Sequence, residues 1–402
     1  MSRPKVLYVS SAIGLGHFSK DLAIVNELRA LRPSVEVVWL AGHPASDMLA
    51  DAGETVLPEA ESWRGATVIA ERTLHNGQLN IVHYIYRSFP AWAHNMRIFA
   101  RAVEDHGIDA AAGDEAWEVY IPLDARLLRP KIPFVFVTDF VGVDPVTRNP
   151  IEHLASYPLN ALWSTDRSLR RTPHSVIFIG ELEDIAEKRF GLTMKTRREY
   201  AREYYDIVGH VVRFRPEEFV DRAAWRRTLG YDDRPLVICS VGGTTVGREL
   251  LHLCGQAYLS LRERLPDVHM VLVCGPRLPV DSVGAPEGVD VRAYVPRLYE
   301  HHACCDVAVG QCGASSTTEL AALRTPFIYF PVEGHYEQEL VAARLARWGA
   351  GVRMTLSQTT PETLADAIFA EYGRVPTYPP IPIDGARKAA LHIGKMLEVR
   401  AA

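Results

Sequence analysis

Short apolar runs along this chain alternate with longer stretches in which apolar side chains recur every third or fourth position. The runs at 6–10, 35–40, 53–57, 108–113, 133–138 and 176–180 carry too few polar residues for half-exposed strands, so they predict strands covered on both faces. Between the first two, Leu22, Ile24, Val25, Leu28 and Leu31 fall on one side of a helix. A second series of runs, at 235–241, 268–274, 289–294, 307–309 and 327–330, is interleaved with helical segments over 248–265, from near Ser316, and from near His335 to the glycines at 349 and 351. Strand–helix alternation of this kind predicts an α/β chain with two doubly wound parallel sheets. Residues 61–80 read as loop-rich, 81–99 as an aromatic helix, 142–175 as a long loop and 181–204 as a charged helix. The composition shift near 207–216 predicts a linker, and with it domains over 1–208 and 209–384, followed by a last helix at 385–399.

Bulk properties narrow the classes of function. A formal charge of −5 gives no nucleic-acid footprint. Since no apolar run approaches the ~18 residues that span a bilayer, membrane contact is expected to be peripheral at most. Met-Ser-Arg-Pro-Lys leads straight into the first strand, which predicts a cytoplasmic chain without a signal peptide. All six cysteines lie between 239 and 312 with no C-x-x-C spacing, so neither a disulfide framework nor a zinc site is expected.

Candidate chemistry sits at the ends of the predicted strands. The first strand runs into Gly14-Leu15-Gly16-His17. This is not a dinucleotide fingerprint, because Ser19 stands at the third glycine position and the second strand ends in Ala41-Gly42-His43 rather than an acid. A histidine at such a turn is either a general base of near-neutral pKa or a cap that does no chemistry. Asp114, at the end of the strand at 108–113, either orients that histidine or caps the next helix; Glu115 and Asp139 end strands in the same way. In the second series Gly242, Gly243 and Thr244 follow a strand, where backbone amides can approach a phosphate. The densest stretch runs from Asp306 to Gly351. There Gln311, Gly313, Ser315 and Ser316 lie between a strand and a helix, Glu319 is one turn in, and Glu337 and Gln338 open the next helix. Glu319 can accept both hydroxyls of a ribose, while Ser316-x-x-Glu319 is equally a capping box.

Cys312-Gly313, Ser315-Ser316, Glu319, Pro331 and Glu337-Gln338 resemble the donor motif of nucleotide-sugar glycosyltransferases with the GT-B fold, both the plant and macrolide type and the lipid-linked N-acetylglucosaminyltransferase type. Gly14-x-Gly16-His17 resembles the N-terminal motif of the same enzymes. Two positions depart from the pattern: Gln311 stands where a phosphate-binding histidine is usual, and Ala314 replaces a tryptophan. The resemblance implies two Rossmann-like domains facing a cleft, with helix 385–402 packing back on the first. It further implies inverting transfer from a UDP-sugar to a small or lipid-like acceptor, with His17 as base, Asp114 as its orienting partner and no metal cofactor. Gly242, Gly243 and Thr244 would lie near the donor phosphates, Tyr294 and Val295 near the nucleobase, and Tyr84, Phe89 and Trp92 along an apolar acceptor wall. Nucleotide-sugar 2-epimerases share this architecture but need no acceptor wall, and a binding subunit without catalysis would not need both His17 and Asp114.

Overall fold

A computed structural model of the chain describes residues 3–10, 15–65, 69, 74–75, 78–79, 81–124, 132–145, 149–164, 175–242, 247–275, 278–333 and 335–399. The chain divides into two compact units. One comprises Met1–Arg213 together with Pro382–Ala402, the other Phe214–Ile381. The chain thus leaves the first unit a few residues beyond the boundary that composition suggested.

In the first unit, strands β1 (Lys5–Ser10), β2 (Glu36–Ala41) and β3 (Thr55–Val56) precede a short antiparallel pair, β4 (Leu74–His75) and β5 (Gln78–Leu79). Strands β6 (Ala110–Asp114), β7 (Phe134–Thr138), β8 (Ser175–Ile179) and β9 (Asp206–Gly209) follow. The seven-stranded sheet has the order β3-β2-β1-β6-β7-β8-β9, and its strand pairs are parallel. Because side chains alternate across a strand, Leu7, Val9, Phe134 and Phe136 enter one buried layer while Val6, Tyr8, Val135 and Val137 enter the other. The second layer is completed from far along the chain. Helix Gly385–Val399 brings Ala386, Ala389, Ala390 and Ile393, one helical stripe, against Ile24, Val25 and Leu28 of helix Leu15–Leu31. Small residues at three of those four positions let the two helices approach closely.

Three expectations fail here. Residues 142–175 are not one long loop, since they contain helix Pro150–Ser164. Pro150 opens that helix, where a missing N–H costs nothing, and a second proline, Pro158, is accommodated inside it. The run at 176–180, which ended the first series, is not the last strand of its sheet, because β9 pairs beside β8. Of the charged stretch 181–204, only a short turn at Leu182–Asp184 and helix Arg197–Tyr204 are helical. The helix starts late because Thr196 and Glu199 form a reciprocal capping box there.

The second unit repeats the plan with β10 (Leu236–Ser240), β11 (His269–Val273), β12 (Asp290–Arg292), β13 (Val307–Gln311), β14 (Phe327–Phe330) and β15 (Val352–Arg353). Its parallel order is β12-β11-β10-β13-β14-β15. In each sheet the order reverses beside the first strand, between β1 and β6 and between β10 and β13. The carboxyl ends of strands at such a reversal are where open α/β sheets bind their ligands. Among the described residues no helix is long and apolar enough to cross a membrane. All six cysteines are buried free thiols of the second unit.

Candidate active site

At the reversal point of the first sheet, the next described element after β1 is helix Leu15–Leu31, with His17 in its first turn. Asp114 is the last residue of β6, in register with Ser10 at the end of β1. His17 Nδ1 lies 2.8 Å from Asp114 Oδ2. With Nδ1–H donated to the carboxylate, the neutral ring presents the lone pair of Nε2 as its proton acceptor. Asp114 is 1% exposed, and its other oxygen has no hydrogen-bond partner among the described residues. The other two candidate acids are engaged elsewhere. Glu115 accepts from Trp117 Nε1 at 2.7 Å and from the Asp139 amide at 3.2 Å, and Asp139 accepts from Lys20 Nζ at 2.8 Å.

Pattern reading did not single out Lys20 and Asp21. They lie three and four residues after His17, so the helical repeat sets them on its side of the helix. Asp21 is fully buried and accepts from Tyr8 Oη at 3.0 Å and Ser10 Oγ at 2.5 Å. Helical spacing from His17 was the available signal, although their partners on β1 and after β7 are invisible to it.

This density of buried charge moves the titrations. Burial and Lys20 both favour neutral His17, but the charges of Asp114 and Asp139 and the hydrogen bond to Asp114 outweigh them, raising its pKa to about 9. The near-neutral value expected from the turn alone is therefore corrected upward. Burial, then repulsion from Asp139 and Asp114, pushes Glu115 up to about 8. Glu115 also has a φ of 49°, a left-handed conformation that side chains other than glycine seldom adopt. The turn between β6 and helix Trp117–Asp124 is thus held by its hydrogen bonds rather than by backbone preference.

In the second unit Gln311 ends β13, and its Oε1 accepts from the Gly242 amide across the reversal point at 3.3 Å. Gly243 and Thr244 lie outside the described residues. Helix Ala314–Leu323 starts two residues earlier than expected, with Gly313 as its N-cap and no side-chain cap. Ser316 is therefore inside the helix and cannot be the serine of a capping box. Ser315 and Ser316 are half-buried, Glu319 is buried in the second turn, and a Cβ on Gly313 would meet nothing within 4 Å. The arrangement is a helix N-terminus with open backbone beside small hydroxyl side chains, a favourable setting for an anion.

Gln338 Oε1 accepts from the Val332 amide at 2.8 Å, so this side chain braces the turn after β14. Glu337, beside it, is exposed. Tyr294 is exposed and Val295 buried, just before Arg297, whose φ of 52° turns the chain sharply. Along helix Ile81–Asp105 of the first unit, Tyr84 and Trp92 are buried in the core, whereas Phe89 is 42% exposed, its ring edge-on to Trp92. The expected apolar wall is thereby reduced to Phe89 and the neighbouring Tyr86, which is also exposed.

Residues 237–372 match the glycosyltransferase family 28 C-terminal domain. An uncharacterized glycosyltransferase of Methanopyrus kandleri is 31% identical over 193 residues, covering 48% of this chain and 54% of the relative. The UDP-N-acetylglucosamine–N-acetylmuramyl-(pentapeptide) pyrophosphoryl-undecaprenol N-acetylglucosamine transferase of a Mycobacterium species (strain JLS) is 28% identical over 201 residues, covering 47% and 53%. The chain spans about half the length of the curated relatives it matches. Among solved structures, the calicheamicin glycosyltransferase CalG4 aligns over 100% of this chain and 96% of its own, with a TM-score of 0.58 at 16% identity, a likeness of fold alone. Residues 237–372 are thus similar to a glycosyltransferase family 28 C-terminal domain, and the chain has the GT-B fold.

Proposed function

We propose that this protein is an inverting glycosyltransferase. In this reading Phe214–Ile381 binds a nucleoside diphosphate sugar, and the first unit binds an acceptor with a free hydroxyl. The observation that carries it is the His17–Asp114 pair, 2.8 Å apart at the carboxyl ends of β1 and β6. Nε2 of His17 takes the proton of the acceptor hydroxyl as that oxygen bonds to the anomeric carbon from the face opposite the diphosphate. The bond from the anomeric carbon to the diphosphate oxygen breaks, and its electron pair leaves with the diphosphate. Amides at the Gly313 helix end and the Ser315 and Ser316 hydroxyls stabilise that leaving charge. Glu319 holds the ribose. The mycobacterial relative is named for transfer from a UDP-sugar to a lipid-linked acceptor, which supports UDP as the nucleotide and an apolar acceptor.

The elevated His17 pKa bears directly on this chemistry. With a value of about 9, only about 1% of the ligand-free protein carries the basic form at pH 7. Turnover is therefore expected to climb nearly tenfold per pH unit from neutrality and to level off near 9. The first experiment is a thermal-shift panel of UDP, dTDP, GDP and their sugars, in which a bound ligand raises the melting temperature with the logarithm of its concentration. The second is an NMR assignment of the product anomer. No stabilisation by any nucleotide would overturn the donor assignment, and retained anomeric configuration would overturn the single displacement.

A further inference from the structure

Away from both reversal points, one group of three side chains among the described residues has the donor atoms of a metal site: Glu181, Asp184 and His210, all in the first unit. Glu181 caps the short turn Leu182–Asp184 after β8, Asp184 is that turn's last residue, and His210 directly follows β9. One ligand atom from each lies within 4.8 Å of the other two. His210 is 3% exposed, and its Nε2 points at Asp184 Oδ2, 3.4 Å away, and at Glu181 Oε2, 3.8 Å away.

Those two separations decide between readings. A histidine bonded directly to a carboxylate sits at about 2.7–2.9 Å when charge assists the bond, as His17 and Asp114 do in this same unit at 2.8 Å. Donor atoms sharing a tetrahedral Zn²⁺ at about 2.0–2.1 Å from the ion are instead ~3.4 Å apart. The gaps at His210 match the edge of such a tetrahedron more closely than a hydrogen bond. The ligands are also positioned from behind. Asp184 Oδ2 accepts the Glu181 amide at 2.8 Å. The His210 amide donates to the Pro382 carbonyl at 2.8 Å, and its carbonyl accepts the Gly385 amide at 3.0 Å.

We propose that Glu181, Asp184 and His210 bind one divalent cation of the Zn²⁺ type, through one oxygen of each carboxylate and the Nε2 of the imidazole. The site plays no part in sugar transfer. Its place in the fold gives it a structural task, because His210 is bonded to the segment by which the chain re-enters the first unit at Pro382. The ion would fasten the turn after β8 to that crossing.

Calorimetric titration of metal-stripped protein with Zn²⁺, alongside melting curves, tests this. Saturable binding at one equivalent and a melting temperature that rises with Zn²⁺ are expected. Visible absorption of the Co²⁺-substituted protein should carry the intense bands of tetrahedral coordination. His210→Gln should weaken binding by more than the roughly 10–100-fold cost of losing an outer-shell partner. Should His210→Gln fail to fold, Glu181→Gln at the more exposed position provides the same comparison. Absence of equimolar binding in the wild type overturns the proposal, as does equal affinity in the wild type and Glu181→Gln. A melting temperature that responds to pH but not to Zn²⁺ would identify a histidine–carboxylate ion pair and also overturn it.

Discussion

The two reversal points occupy the same place in two sheets of the same plan, yet they are built from opposite materials. Beside β1 and β6 the polar groups are ionisable side chains, His17, Lys20, Asp21, Asp114, Glu115 and Asp139, half of them buried and all of them hydrogen-bonded. Beside β10 and β13 the groups at the reversal itself are an amide and a glutamine, Gly242 and Gln311, with backbone and hydroxyls around Gly313. Proton transfer requires a group whose pKa is set by its neighbours, so charge accumulates and is shielded from water. Holding an already charged ligand requires preorganised donors and room for it, so side chains shrink and the backbone is left open. The shared fold supplies the position, and the residues grafted there supply the chemistry.

The largest effect should come from the charged side. His17→Ala is expected to lower turnover about 10²–10⁴-fold while the affinity for UDP, read by calorimetry, stays unchanged. Full activity in this variant would overturn the proposed division of labour between the two units.

Next comes Glu319, the buried acid in the helix that follows β13. Glu319→Gln should weaken UDP binding by about 1.5–3 kcal/mol, the cost of a lost charge-assisted hydrogen bond. Unaltered affinity in a less stable protein would return Glu319 to a structural role.

Asp114→Asn sharpens the comparison through pH. Because the Asp114 charge and hydrogen bond raise the His17 pKa, removing them should move the acidic limb of kcat/KM below 9. Its turnover should fall less than that of His17→Ala, and the double variant should be little worse than His17→Ala alone. The wild-type stability has a matching signature. A histidine with a raised folded pKa contributes fully below its unfolded value of about 6.5, and that contribution is lost as pH rises through 9. Glu115, neutral in the fold up to about 8, penalises folding increasingly above its unfolded value of roughly 4.3. The melting temperature should therefore decline from pH 6.5 to 9, and the part of that decline owed to His17 should shrink in Asp114→Asn.

The smallest effect belongs to Gln338. Its bond to the Val332 amide implies that Gln338→Ala costs about 1 kcal/mol of stability. If its amide nitrogen also touches the sugar, the intact nucleotide sugar should weaken more than free UDP. Equal weakening of both ligands would leave Gln338 as a brace only.

Much of this arrangement was legible in the sequence because strands covered on both faces are written as unbroken apolar runs, such as Phe134–Thr138 and Phe327–Phe330. Strand ends then located His17, Asp114, Gln311 and Gly313. The helix at Pro150–Ser164 was hidden because its prolines resemble loop punctuation. The start of helix Ala314–Leu323 was misplaced because Gly313 caps it through backbone alone, leaving no side-chain signature. His17 and Asp114 meet across 97 residues, and the upward shift of His17 depends on that meeting and on the charge of Asp139. Periodicity cannot report a titration set by neighbours so distant in sequence.

The return of helix Gly385–Val399 to the first unit also has a consequence during synthesis. When Arg213 leaves the ribosome, the layer containing Ile24, Val25, Leu28 and Val208 still lacks Ala386, Ala389, Ala390 and Ile393. At about 5–20 residues per second, Phe214–Ile381 takes roughly 8–30 s to be translated before the missing helix exists. The nascent first unit spends that interval with an apolar face open to chaperones and to other chains. The uninterrupted second unit can complete its own core while the first still waits for its last piece.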